Sequence, residues 1–226
     1  VVLDDADLDD AVNAAAFGAF ANSGQICMST ERIIVDQKVA DDFVKKFADK
    51  AKSLPLGDPR KPQPVVLGSV IGMSTVQHCN ALIDDALAKG AKLVCGAKAE
   101  STLMPATVLD HVNPSMRIYR EETFGPVKCV VRVKNTEEAI ACANDNEYGL
   151  SAAVFGRDLA RAFNVARKID SGICHVNGPT VHDEAQMPFG GVKGSGMGRF
   201  GGRAGIAEFT ELRWITVQTQ PRHYPF

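Results

Sequence analysis

The chain has 226 residues, 45% of them hydrophobic and 23% charged, and its formal net charge is −2. The length suits one domain or one and a half, and the composition is that of a soluble globular protein. The absence of a basic excess argues against a nucleic-acid partner, and no apolar run approaches the length of a membrane span. We therefore expect a small-molecule partner rather than nucleic acid or a membrane.

Short strand patterns alternate with longer helical patterns along the chain. Helices are predicted, in chain order, at residues 8–21, 39–54, 74–89, 136–144 and 159–168. Strands are predicted at residues 32–36, 91–95, 127–133, 152–155, 173–177 and 214–218. This alternation predicts an α/β fold with three layers, α/β/α, around a largely parallel sheet.

Residues 187–205 break the alternation. This stretch holds seven glycines before Arg203 and little periodicity, which predicts a long irregular loop. It lacks the GxxxxGK[ST] pattern of a phosphate-binding P-loop. The last eight residues, TQPRHYPF, are too polar and proline-broken for a core, so we expect them to extend along a neighbouring molecule.

The cysteines do not predict a metal site. None of the six forms a CxxC pair, and their spacing matches no zinc module. An even count could indicate disulfides, but the long apolar chain shows no secretory signal, so we expect reduced thiols and a cytoplasmic location. The cysteines are Cys27, Cys79, Cys95, Cys129, Cys142 and Cys174.

Four segments carry a resemblance to a known family. They are GQIC at 24–27, EETFGPV at 121–127, GICHVN at 172–177 and MPFGGVKGSGMGRFGG at 187–202. Their order and spacing resemble the catalytic half of the NAD(P)-dependent aldehyde dehydrogenase superfamily over essentially the whole chain. The RFGG variant and the ending AEFTELRWITVQTQPRHYPF look most like its salicylaldehyde, vanillin and benzaldehyde dehydrogenases.

The resemblance implies that Cys27 is the catalytic nucleophile. Its thiolate would attack the aldehyde carbonyl, hydride would pass to a nicotinamide, and water would hydrolyse the resulting thioester. The backbone N–H of Cys27 would help to hold the oxyanion. Without the resemblance, Cys27 could equally be a small buried hydrophobe. Its position after a helix C-terminus would not lower a thiol pKa, so activation must come from elsewhere.

The resemblance also implies two contacts to NAD or NADP. Glu122 would accept hydrogen bonds from the nicotinamide-side ribose hydroxyls, and Phe124 would pack beside that ribose or the nicotinamide. Thr123 stands where the family usually has Pro or Ile. The alternative interpretation of Glu122 is a solvated or capping carboxylate.

Four apolar residues fall where the family lines its substrate tunnel: Ile26, Met28, Val181 and Phe189. The loop at 179–182 would form the mouth of that tunnel. An apolar, partly aromatic tunnel favours a hydrophobic or aromatic aldehyde. The alternative is that these side chains only fill the core.

The match divides the chain into a catalytic domain, residues 1–210, and a C-terminal oligomerisation strand and tail, residues 211–226. It implies a homodimer or homotetramer. The family's cofactor-binding domain, its general-base Glu and its oxyanion-stabilising Asn have no counterpart in this sequence. We expect a fragment that folds without turning over.

Three other functions remain open at this stage. The chain could be a non-catalytic oligomerisation module. It could be a thiol acyltransferase or hydrolase, which would need a histidine near Cys27. A CoA-acylating aldehyde dehydrogenase would share the same cysteine chemistry.

Overall fold

The computed structural model describes residues 1–226 and has six α-helices and eight strands. The helices are α1 Leu8–Phe20, α2 Ala40–Lys52, α3 Met73–Ala88, α4 Thr136–Asn144, α5 Leu159–Ala166 and α6 Gly202–Glu208. The strands are β1 Arg32–Asp36, β2 Lys92–Cys95, β3 Thr107–Asp110, β4 Val127–Val133, β5 Tyr148–Gly149, β6 Ser151–Val154, β7 Ile173–Val176 and β8 Val192–Lys193. No helix is both long enough and apolar enough to cross a membrane.

The main sheet has four strands in the order β1-β4-β3-β2. Strand β4 pairs in parallel with β1 and with β3, and β2 is an antiparallel edge strand. Strands β6 and β7 form a second, parallel pair, while β5 and β8 form a two-residue antiparallel ribbon. The predicted α/β class with a largely parallel sheet is confirmed.

The first residues of the chain join the main sheet to the β6–β7 pair. The Val2 amide donates to the Ile34 carbonyl at 2.8 Å, and the Leu3 amide donates to the Phe155 carbonyl at 3.0 Å. Val2 therefore forms parallel bridges to both Val35 and Phe155. The hydrogen-bonded surface continues from β7 through this segment to β1.

Side chains alternate across the sheet and build a core on each face. One cluster of 23 buried residues includes α1, α2 and the inward side chains Ile33 and Val130. A second cluster of 21 buried residues includes α3, α4 and the side chain Ile34. This alternation, with helices on both faces, gives the predicted three layers.

Three sequence predictions differ from the structure. Strands β3, β5 and β8 were not predicted, and the loop at 187–205 contains β8 and the start of α6. The predicted strand at 214–218 is wrong for the single chain, because those residues pair with no other strand. A strand needs a neighbouring strand to satisfy its backbone hydrogen bonds. Residues 214–218 have no such neighbour in the single chain, and their side chains are exposed.

Candidate active site

The GQIC and EETFGPV segments meet because β1 and β4 are parallel neighbours. Arg32 at the start of β1 is in register with Cys129 near the start of β4. The GQIC segment precedes β1, and the EETFGPV segment leads into β4. Both loops therefore lie at the amino edge of the sheet.

A left-handed turn carries the chain from α1 to Cys27. Asn22, Ser23 and Gly24 have φ values of 50°, 56° and 74°. Gly24 is required here, because a Cβ at this position would overlap the carbonyl group of Gly125. This backbone contact presses the GQIC turn against the EETFGPV loop.

Cys27 is exposed and lines a cavity of about 360 Å³. No hydrogen bond within the chain involves its Sγ, and the turn around it is closed by Ser29, whose amide donates to the Ile26 carbonyl at 2.8 Å. The turn follows the carbonyl end of α1, which does not stabilise a thiolate. The chain therefore presents the Cys27 Sγ to the cavity free of any hydrogen-bond partner of its own.

The other thiols differ from Cys27. Cys79, Cys95, Cys129 and Cys142 are buried, and Cys174 is half-buried. Burial raises the pKa of Cys79 to about 11 and that of Cys129 to about 12. Cys27 is the one exposed thiol of the chain.

Glu122 lines the same cavity as Cys27. Burial, followed by the nearby negative charge of Glu31, raises the pKa of the Glu122 carboxyl group. No hydrogen bond or ion pair within the chain engages that carboxylate; only its backbone carbonyl is bonded, to His78 Nε2 at 2.9 Å. A carboxylate on the cavity wall with free acceptor oxygens fits a ligand diol such as a ribose.

Phe124 lies on the same loop but outside the lining of this cavity. It is 41% exposed and has a φ of 44°, which is unusual for a residue other than glycine. Strained backbone of this kind persists where the surroundings fix it, and it clusters at functional sites.

Between Glu122 and Phe124, Thr123 is held by a buried polar network. Its amide and its hydroxyl donate to the two carboxylate oxygens of Glu31 at 3.0 and 3.1 Å. The ammonium of Lys128 donates to the same carboxylate at 2.9 Å, and the Lys128 side chain has no exposed surface. Sequence analysis did not single out either Glu31 or Lys128.

The predicted substrate residues separate into two groups. Met28 lines the cavity beside Cys27, whereas Ile26, Val181 and Phe189 are half-buried and lie outside its wall. Phe189 stacks on Phe200 with ring centroids 5.7 Å apart.

The predicted loop at 179–182 reaches the cavity through Pro179 and Thr180. Thr180 lines the cavity and shares a 2.8 Å hydrogen bond with the Thr30 hydroxyl, whereas the neighbouring Val181 does not reach the wall. His182 is exposed, and its ring lies 5.1 Å from that of His175. No histidine lines the cavity, so the chain offers no Cys–His pair for acyl transfer.

The glycine-rich loop packs against the strands instead of forming a phosphate cradle. A Cβ at Gly172 would overlap the carbonyl of Gly190. The hydroxyl of Ser195 accepts a hydrogen bond from the Gly149 amide at 3.0 Å, and Ser195 lines the cavity. No group of three His, Cys, Asp or Glu side chains is placed to hold a metal ion.

Comparison with known proteins finds similar sequences and structures along nearly the whole chain. Residues 1–215 match the profile of the aldehyde dehydrogenase family. A vanillin dehydrogenase from Pseudomonas fluorescens is 60% identical over 225 residues, an alignment that covers 100% of this chain and 46% of that protein. The chain thus spans about half the length of the curated relatives it matches.

Solved structures give the same result. A salicylaldehyde dehydrogenase from Pseudomonas putida G7, crystallised with salicylaldehyde, superposes with a TM-score of 0.94 and is 53% identical, covering 100% of this chain and 46% of that one. An NADP-dependent glyceraldehyde-3-phosphate dehydrogenase from Bacillus halodurans C-125, in complex with NADP, superposes with a TM-score of 0.89 at 37% identity, covering 94% of this chain and 44% of that one.

Proposed function

The chain belongs to the aldehyde dehydrogenase family, and from that premise we propose that it carries the nucleophile of an enzyme that oxidises aromatic aldehydes to carboxylic acids. The observation that carries the proposal is the position of Cys27. It is the one exposed thiol, and it shares a cavity with the unpartnered carboxylate of Glu122.

Cys27 supplies the covalent chemistry. Its Sγ bonds to the aldehyde carbon and forms a thiohemiacetal, whose oxyanion accepts a hydrogen bond from the Cys27 amide. A bound nicotinamide supplies the hydride acceptor. Loss of hydride from the former aldehyde carbon leaves a thioester on Cys27, and attack by water releases the acid and regenerates the thiol.

Glu122 and Phe124 would hold the cofactor, NAD or NADP. The carboxylate of Glu122 would accept hydrogen bonds from the two hydroxyls of the nicotinamide-side ribose. Phe124, which is partly exposed on the same loop, would pack beside the ribose or the nicotinamide ring. The NADP complex of the Bacillus halodurans relative supports a nicotinamide cofactor.

Met28, on the cavity wall beside Cys27, contacts the substrate, and the half-buried Ile26, Val181 and Phe189, which lie outside that wall in this chain, complete an apolar set around it in the whole enzyme. Apolar walls favour an aromatic ring over a charged aldehyde. The similarity to vanillin and salicylaldehyde dehydrogenases supports the same substrate class. No histidine lines the cavity beside Cys27, so we propose that the base which activates this thiol and the deacylating water lies outside these 226 residues.

The first experiment compares the chain alone with a fusion. In the fusion, the part of the Pseudomonas putida salicylaldehyde dehydrogenase that precedes the matched region is joined ahead of Val1. We expect the fusion to form NADH or NADPH from salicylaldehyde or vanillin, and the chain alone to form none. Cys27→Ser lowers the rate of the fusion by at least about 1,000-fold, because a hydroxyl is a far weaker nucleophile.

The matched control is Cys95→Ser, which changes a buried thiol outside the cavity and leaves turnover within about threefold. Turnover by the Cys27→Ser fusion would exclude the cysteine mechanism. Turnover by the chain alone would show that no outside base is needed.

A second candidate function is oligomerisation without catalysis. Side chains of the C-terminal segment favour it, since Leu212, Trp214 and Phe226 are almost fully exposed. An inactive fusion that assembles through this segment would select this alternative.

A further inference from the structure

Lys128 is a fully buried lysine that the proposed chemistry does not use. It lies in β4, and its side chain has no exposed surface. A buried ammonium ion is unfavourable unless it is paired and hydrogen-bonded. Its Nζ donates to Glu31 Oε1 at 2.9 Å and to Thr123 Oγ1 at 3.3 Å, so both of its partners lie at the candidate site.

Glu31 links the two loops of the site through a single carboxylate. Along the chain it follows Cys27 by four residues and directly precedes β1. Across space it accepts hydrogen bonds from the amide and the hydroxyl of Thr123, which lies between Glu122 and Phe124. Lys128, which lies in β4 of the sheet, forms an ion pair with this carboxylate and holds it in place.

We propose that the Glu31–Lys128 pair is a positioning device, which holds the loop at 122–124 in register with Cys27 and so aims the Glu122 carboxylate into the cavity. Glu31 and Lys128 act through Thr123 and are not catalytic residues. The assignment of a ribose to Glu122 rests on the proposed function, whereas the positioning itself rests on the contacts.

Stability alone is a weak reason for such a pair. The fully buried Lys128 ammonium and the partly buried Glu31 carboxylate lose hydration, and an apolar replacement of similar size is often as stable. The pair does fix the position of Thr123, because the Glu31 carboxylate accepts hydrogen bonds from both its amide and its hydroxyl. The loop also contains Phe124 in a left-handed conformation, which needs external fixation to persist.

The test compares a double variant with a matched control in the full chain. Glu31→Ala combined with Lys128→Met removes both charges and leaves no unpaired buried ion. The control is Arg117→Gln, which breaks an exposed pair with Glu121, 2.6 Å from Nε to Oε1, in the same segment. Amide hydrogen exchange is measured by mass spectrometry, and global stability by urea unfolding.

We expect exchange of the Thr123 and Gly125 amides to rise about 10-fold or more in the double variant, while the amides of β4 exchange as before. The control leaves exchange of these amides unchanged. Unchanged exchange in the double variant would overturn the proposal. A rise spread over the whole sheet, in proportion to lost global stability, would also overturn it by assigning the pair a purely structural role.

Lys128→Met alone provides a second variant if the double variant does not fold. It keeps Glu31 as the acceptor for Thr123 and removes only the counter-ion. We expect a smaller rise in exchange that is still confined to the loop. Exchange equal to that of the unsubstituted chain would remove Lys128 from the proposal.

The fusion described above separates this proposal from the proposed function. In it, the double variant raises KM for the nicotinamide cofactor by about 10-fold or more and changes kcat by less than about threefold, since Cys27 is untouched. A loss in kcat of similar size, with KM for the cofactor unchanged, would contradict the proposal that the pair positions the cofactor loop. An inactive fusion with the native residues would refute the proposed function, and the exchange result would still decide the positioning.

Discussion

At the scale of single residues, two adjacent glutamates have opposite environments. Arg117 forms an exposed ion pair with Glu121 and holds the pKa of that carboxyl below its ordinary value. Burial and the charge of Glu31 raise the pKa of Glu122. Relative to the unfolded chain, folding therefore makes Glu121 harder to protonate and Glu122 easier to protonate.

This contrast predicts opposite effects of two isosteric substitutions. The stability that protonated Glu122 contributes is present below its unfolded pKa and is lost as pH rises through its raised folded pKa. At neutral pH, Glu122→Gln should therefore raise Tm slightly, by less than about 2 °C because solvent screens this exposed group, and the gain should disappear in acid. Circular dichroism melting curves at neutral and acid pH measure this effect.

Glu121→Gln is the comparison. Its lowered pKa contributes stability above the unfolded pKa that is lost in acid, so this variant should lower Tm slightly, by less than about 2 °C, at neutral pH. If both variants moved Tm in the same direction, the opposite environments of the two carboxyl groups would be wrong.

Residues within a recognisable sequence motif were easier to predict than the distant residues whose hydrogen bonds hold that motif in place. Cys27 and Glu122 stand in recognisable segments, and the structure places both on one cavity. Lys128 stands within VKCVVRV, where an alternating strand pattern indicates a solvent-facing side chain. Its partner Glu31 lies 97 residues earlier in the chain, and no local pattern carries that information.

At the scale of elements, α1 contains a glycine whose role depends on its neighbours. Glycine inside a helix normally costs about 1 kcal/mol relative to alanine. A Cβ at Gly18 would lie 2.6 Å from Thr30 Oγ1 and 2.9 Å from Thr180 Oγ1, and these two hydroxyls are hydrogen-bonded to each other. The helix can approach this hydroxyl pair only because Gly18 has no side chain.

Gly18→Ala is therefore predicted to destabilise the protein despite its better helix propensity, by about 1–3 kcal/mol in urea unfolding. Gly205→Ala in α6 is the matched control, since its Cβ would meet nothing closer than 3.7 Å. The control should be neutral or slightly stabilising. A gain in stability for Gly18→Ala would contradict the close approach.

Some elements were predicted with their limits, while helices α2, α3 and α5 were predicted to within two residues at each end. Strands β1 and β4 and helix α4 have the predicted limits. Strand β3 was missed because it is four residues long and buried throughout, so it shows no alternation. Helix α6 was missed because Gly202 and Gly205 lie within it, and glycine weakens any helical prediction.

At the scale of the whole molecule, the predicted family is confirmed, and the C-terminal segment, residues 211–226, forms no hydrogen bond with the rest of the chain. Its large apolar side chains are highly exposed: Leu212, Trp214, Ile215, Val217, Tyr224 and Phe226. Exposed apolar side chains concentrated in one segment are typical of a protein–protein contact. The sequence-based prediction of a homodimer or homotetramer would account for it.

Trp214 provides the test, since it is the single tryptophan of the chain and is 91% exposed. We expect its fluorescence to shift to the blue as protein concentration rises, because assembly transfers the indole ring from water to an apolar contact. Trp214→Glu should reduce the sedimentation coefficient to that of a monomer.

Met197→Glu is the control for that experiment, because Met197 is equally exposed but lies in the glycine-rich loop. It should leave the assembly unchanged. A monomer for the unsubstituted chain at all concentrations would contradict the predicted oligomer.

The segment that joins the two sheets has a consequence for the folding pathway. Val2 and Leu3 bond with residues about 30 positions away in β1 and with Phe155, about 150 positions away. Closing a loop of this length costs conformational entropy before any stabilising contact forms, so non-local pairing of this kind slows folding. The β6–β7 unit docks on the main sheet through these first residues, so we expect a late step in which docking completes the native state.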